Sequence, residues 1–263
     1  MFSPPDAYVR LLGSLAGMAG GQRQLWVGDA GFFVGDGGFT EGWTDALAGR
    51  RWPGMHPDLV PFAGDGSGNL YCFYHPSARG HRGMTTVMHW MYETYRAVPI
   101  ASSFEQFLDW IGVTAWATVL RGNDAIIDVA HFDGVVRPVL ELADLSSDYA
   151  ELISSPFPSA SDVHQAMLKL DPFAPAPLVA LGVRLGASGA DVQALQRIAV
   201  ASEAFPEFGA AEVAAAHVHA AMRQTTLATR SYERAVHLPL AFSGDPLMPY
   251  YGDIPEVDPT MIA

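Results

Sequence analysis

The sequence predicts an α+β fold followed by an all-α region, and three observations carry that expectation. Up to about residue 155, short apolar runs alternate with glycine-rich turns. One long amphipathic segment interrupts them. Beyond about residue 160 the strand signals stop, and Ala- and Leu-rich helical spacing takes over.

The strand candidates are LWVG, GFFVG, LVPF, NLYCFYH, TTVMHWMY and AIIDVAHF, separated by GDAG, GDGG, GDGSG and RGND. The interrupting helix is expected from about Ser103 to Leu120. Ser103 and Gln106 have capping-box spacing. Phe104, Phe107, Leu108 and Ile111 form one apolar face at i, i+3, i+4, i+7. SSPFPSAS (154–161) reads as a linker. Helices are then expected over Asp162–Leu170, Pro177–Leu185, Ala190–Phe205, Gly209–Met222 and Thr226–His237. This organisation predicts an α+β domain over 1–153, a helical region over 160–242 and an acidic, proline-containing tail over 243–263.

The helical half repeats. A shift of 34 residues lays Pro172 on Pro206, Gly182 on Ala216, Ala194 on Ala228, Ile198 on Tyr232 and Ala201 on Ala235. Period and small-residue pattern resemble the tetratricopeptide repeat. Two copies fall short of a free-standing solenoid, so this part is expected to dock on the first. It would add a second protein-binding surface.

Composition narrows the function. The formal net charge of −13 over 263 residues disfavours nucleic acid and anionic membrane surfaces and favours basic partners. No apolar run reaches membrane-spanning length. The first 21 residues lack the basic segment of a secretion signal. The single cysteine, Cys72, sits in an apolar run and reads as a buried thiol in a reducing compartment. A cytoplasmic location is expected.

GDGSGN (64–69) is the stretch that could carry chemistry. A phosphate loop requires a following helix, and a P-loop requires Gly-Lys-Ser/Thr; here a strand candidate follows and no lysine is near. Asp65, Ser67 and Asn69 have the i, i+2, i+4 spacing of calcium ligands. The EF-hand pattern then breaks at Leu70 and Pro76, which leaves at most a weak surface site. A hairpin turn between Leu59–Phe62 and Leu70–Tyr74 fits best, with Pro61 confined to an edge or a strand end. His56, His75, His81 and His89 lack metal-ligand spacing, and His217 and His219 diverge on a helix. His89 and Cys72 could meet only from neighbouring strands. No G-x-S-x-G elbow is present, and Cys72 has no electropositive neighbour. The tryptophans read mostly as core. No enzyme, cofactor or metal is expected.

HPDLVPFAGDGSGNLYCFYH, TTVMHWMYE and SSFEQFLDWI resemble, in that order, the core of the SUKH superfamily. That superfamily includes fungal cell-wall-synthesis regulators and many bacterial immunity proteins. The matching elements are Pro61–Ala63, Asp65–Asn69, Tyr71–Phe73, Val87–Glu93 and Ser103–Leu108, and the resemblance covers about residues 52–112. The family's opening "LP..Y..FL" is absent. The resemblance implies a sheet carrying helices and a non-enzymatic protein-binding module. The expected partner is a basic toxin domain that the protein neutralises, with a regulatory scaffold as the alternative. Asp65, Ser67 and Asn69 in the turn, with Trp90 and Glu93 on and after the tryptophan strand, are the candidate partner contacts.

Overall fold

The computed structural model describes residues 5–18, 24–33, 54–76, 86–122, 127–145 and 147–242. Helix α1 (Asp6–Met18) opens the chain and buries Tyr8, Leu11, Leu12 and Leu15. Six strands follow: β1 (Gln24–Val27), β2 (Ala30–Phe33), β3 (Leu59–Gly64), β4 (Leu70–Tyr74), β5 (Val87–Met91) and β6 (Arg96–Ala101). They form one antiparallel sheet in sequence order, the expected α+β architecture. β3, β4 and β5 are buried throughout, which is why they read as continuous apolar runs and not as alternation.

Helix α2 (Phe104–Arg121) lies on one face. Ser103 accepts a hydrogen bond from the Gln106 N–H, while Gly122 closes the far end at φ +62°. Phe104, Phe107, Leu108 and Ile111 are all fully buried. With Tyr8, Phe32, Phe62 and Phe73, the phenylalanines make an edge-to-face aromatic core. Gly28 turns β1 into β2 at φ +61°, where any Cβ would meet Ile111 of α2 at 3.0 Å.

Pro61 lies in β3, which has neighbours on both sides. The β2 pairing covers only Gly31–Gly64 and Phe32–Ala63, and the β3–β4 register shifts between Pro61 and Ala63. The missing N–H of Pro61 therefore faces no β2 partner among the described residues. One strand escaped the sequence pattern, and one expected strand is corrected. RAVPIA, not singled out, is edge strand β6 with Pro99 in it. AIIDVAHF is not a strand: its described part bends at Ile127–Asp128 and enters α3 (Val129–His131), capped by Asp128. A π-helical turn (Phe132–Val136) and α4 (Arg137–Leu142) continue it, and Phe132 packs on Trp116. The β-branched residues there mimic a strand, but the Asp128 cap decides.

After α5 (Tyr149–Leu152), Ser159 and Asp162 form a full capping box for α6 (Ala160–Leu170). Two α-hairpins follow: α7 (Pro175–Ala187) with α8 (Asp191–Ala204), and α9 (Gly209–Ala221) with α10 (Thr225–His237). Their helices begin 34 residues apart, from Pro175 to Gly209 and from Asp191 to Thr225. Gly182 explains the small positions: a Cβ there would lie 2.7 Å from Ile198 of α8. The helical region packs against the sheet through the loops that precede each hairpin. Asp171 accepts from Ser102 N (2.7 Å) and Ser102 Oγ (2.8 Å), at the end of β6. Tyr74 of β4 packs on Phe205 and Phe242 and donates to the Glu207 carboxylate. One contiguous apolar core thus runs from Tyr8 to Phe242.

Candidate functional site

Asp65 organises the GDGSGN turn. Its Oδ1 accepts from the N–H groups of Ser67 (2.8 Å) and Asn69 (3.2 Å), and its Oδ2 accepts from Asn69 Nδ2 (2.7 Å). Gly66 and Gly68 take φ +79° and +99°, which the reversal requires. Asn69 Oδ1 accepts from Tyr92 N (2.9 Å), tying this turn to the β5–β6 turn. The carboxylate that would open a calcium loop is thus spent on backbone and amide donors. Among the described residues, no group of three His, Cys, Asp or Glu side chains is placed to hold a metal.

His89 Nε2 lies 3.4 Å from Asp65 Oδ2, and the imidazole stacks on Tyr71 at 4.6 Å. Burial alone would raise the Asp65 carboxyl. The hydrogen bonds from His89, Asn69 and Ser67 and the charge of His89 outweigh it, holding the group below its ordinary value. Asp29, in the β1–β2 turn, has the opposite balance. Burial pushes it up to about 6, against the charge of His89, and its Oδ1 is occluded, with no hydrogen-bond partner among the described residues.

Strand register defines the surface around this turn. One cross-strand row reads Trp26, Gly31, Gly64, Leu70, Trp90, Ala97. It lies on the face opposite α2. Two glycines leave room for the Trp26 indole: a Cβ on Gly31, its partner in this row, would sit 3.1 Å from its ring, and one on Gly66 of the turn would sit 2.9 Å from it. Trp90 is fully buried under Tyr92 (6.5 Å) and Tyr95 (6.2 Å). Trp26, Tyr92 and Tyr95 themselves remain 39%, 41% and 49% exposed. Tyr95 holds φ +57°, a left-handed conformation unusual for an aromatic residue, with its ring against Gly54.

The five candidate contacts divide accordingly. Ser67 and Glu93 are exposed; Asp65 and Asn69 are half-buried and build the turn. Trp90 has no exposed surface, and its ring packs near those of Tyr92 and Tyr95. Trp26, read with the core, is instead a surface ring, while Trp43 and Trp52 lie outside the described residues. The signal for Trp26 was its alternation against Gly31 across the hairpin, visible only once the register is known.

The other chemistry-bearing residues stay apart. Cys72 pairs with Met88 and His89 with Tyr71, so their side chains point to opposite faces, and the Cys72 thiol is fully buried. His56 packs on Phe242; His217 packs on Tyr232, whereas His219 Nδ1 lies 2.8 Å from Gln224 Oε1. His81 and the 243–263 tail lie outside the described residues. Among the described residues, no helix is long and apolar enough to cross a membrane.

No curated protein and no solved structure matches the chain. The family match supports, at family level, a module of the protein-binding or immunity type, of a generally non-catalytic kind. It begins at α1 and so extends well upstream of the motifs that first suggested it: residues 5–110 match the SMI1 / KNR4 family (SUKH-1).

Proposed function

We propose that this chain is an immunity-type binding protein that captures and neutralises a basic toxin domain. The observation that carries this reading is the SUKH-1 match over residues 5–110. The net charge of −13 supports the choice of a basic partner, since opposite charge accelerates encounter. Toxins acting on nucleic acid carry positive surfaces because their substrate is anionic. Neutralisation would be by occlusion of the toxin's active surface, in the cytoplasm, with no cofactor. Residues 1–153 would form the recognising unit and residues 160–242 its brace.

The test is co-expression. The tagged chain is used to capture proteins from its own host. A basic protein recovered at one-to-one stoichiometry is then expressed with and without the chain. Toxicity that appears only without the chain is the expected result. Capture of cell-wall or envelope proteins whose expression is harmless would overturn the toxin reading in favour of a regulatory scaffold.

A further inference from the structure

We propose that the turn end of the sheet face opposite α2 is a seat for an arginine side chain of the partner. Trp26, Tyr92 and Tyr95 supply the ring faces, and Glu93 supplies the carboxylate at their edge. The proposal rests on the protein-binding reading and names the part of the surface that does the binding.

Four observations converge there. The three exposed rings gather around one turn: Trp26 lies on Gly66, Tyr92 borders Gly68, and Tyr92 stands 6.4 Å from Tyr95. The glycines therefore serve the surface as well as the reversal, since a side chain at Gly66 would displace the indole. Tyr95 is held in a left-handed conformation that glycine or asparagine would adopt with less strain. Strain of this kind persists where the side chain itself is needed. The rings are braced, by Trp90 beneath the tyrosines and by the Asn69–Tyr92 hydrogen bond, so little order remains to be lost on binding.

Charge selects the guest. Glu93 is exposed between the two tyrosines in sequence, Asp65 lies within the adjoining turn, and the chain as a whole is strongly acidic. Aromatic faces beside carboxylates attract cations. A guanidinium plane stacks on such rings and pairs with a carboxylate at once, which an ammonium does less well. The cleft between α8, α9 and α10 is a weaker candidate, because its Arg234 already donates from Nε and Nη2 to Glu212 Oε2.

The test uses the full chain and an acetylated hexa-arginine peptide, with hexa-lysine as control, followed by calorimetry and by the Trp26 indole N–H resonance. Hexa-arginine is expected to shift that resonance and to bind several-fold more tightly than hexa-lysine. Y95N, which suits the left-handed backbone, should keep the fold and weaken hexa-arginine binding about tenfold, as should W26A; W26F should retain most of it. Equal affinity of wild type, Y95N and W26A would overturn the proposal, placing the peptide elsewhere on an acidic surface. So would no binding at all. Natural partner capture separates the two levels. If Y95N and W26A still retain the partner, this seat is wrong and protein binding stands. If the wild type retains none, the protein-binding reading itself falls.

Discussion

The sheet region and the helical region solve their close approaches in different ways. In the α-hairpins the small residues are regularly spaced, and each admits a neighbouring helix: Gly182 faces Ile198, and Gly186 faces Val218. At the turn end of the sheet, by contrast, Gly31 and Gly66 admit the ring of Trp26. The first arrangement buries what it touches. The second leaves aromatic rings exposed, which costs stability and is tolerated where a partner will cover them. Under the proposed function the contrast would be a division of labour: the turn end of the sheet would recognise, and the helices would brace.

The largest expected effect breaks the junction between the two regions. D171A would leave the Ser102 N–H and hydroxyl without their buried acceptor, and a loss of about 3 kcal/mol is expected in chemical denaturation. If that loss stayed near zero, the helices would not be bracing the sheet through this loop. G182A should cost about 2 kcal/mol, because its methyl group would meet Ile198 inside the packed hairpin. The I198A background should relieve most of that cost, which a double-mutant cycle measures. G66A should cost about 1 kcal/mol through its φ of +79° and should shift the Trp26 indole resonance, whereas G182A should leave that resonance in place.

The smallest effect is a pH dependence set by Asp29 in the sheet region. Asp29 has a folded-state value of about 6 against an ordinary 3.8, so ionising it costs the folded protein. Its stabilising contribution is complete at acid pH and is lost as pH rises through about 6. D29N should therefore match wild type near pH 4 and exceed it by about 1 kcal/mol near pH 8, after discounting for partial exposure. Asp65 has the opposite sign: its lowered value means stability is present above the ordinary carboxylate range and is lost as pH falls below it. Equal stability of D29N and wild type across the range would show that Asp29 is solvated.

The contrast also explains what could be read from sequence. The last five helices were legible almost to the residue, because each is amphipathic and is punctuated by proline, glycine or a cap; Ser159 and Asp162 are an example. The hairpin at GDGSGN was equally plain, since positive-φ glycines and an Asx turn are local chemistry. The candidate site was only half legible. Asp65 and Asn69 announce a turn, but whether they face a partner or their own backbone depends on donors that the fold supplies, Tyr92 N among them. Trp90 and Trp26 look alike in sequence. Register buries one under two tyrosines and lays the other over glycine. Asp171 and Glu207 lie in loops between helices, yet they accept the hydrogen bonds that join the regions, and their donors Ser102 and Tyr74 are far away in the chain.

The division of labour is tested most directly by backbone hydrogen exchange of the full chain, alone and saturated with the protein partner that it captures. Slowed exchange is expected over Trp26–Gly31, Gly64–Leu70 and Tyr92–Tyr95, with the exposed faces of the two α-hairpins unchanged. Protection confined to those hairpins, with the three sheet-end segments exchanging as in the free protein, would contradict it.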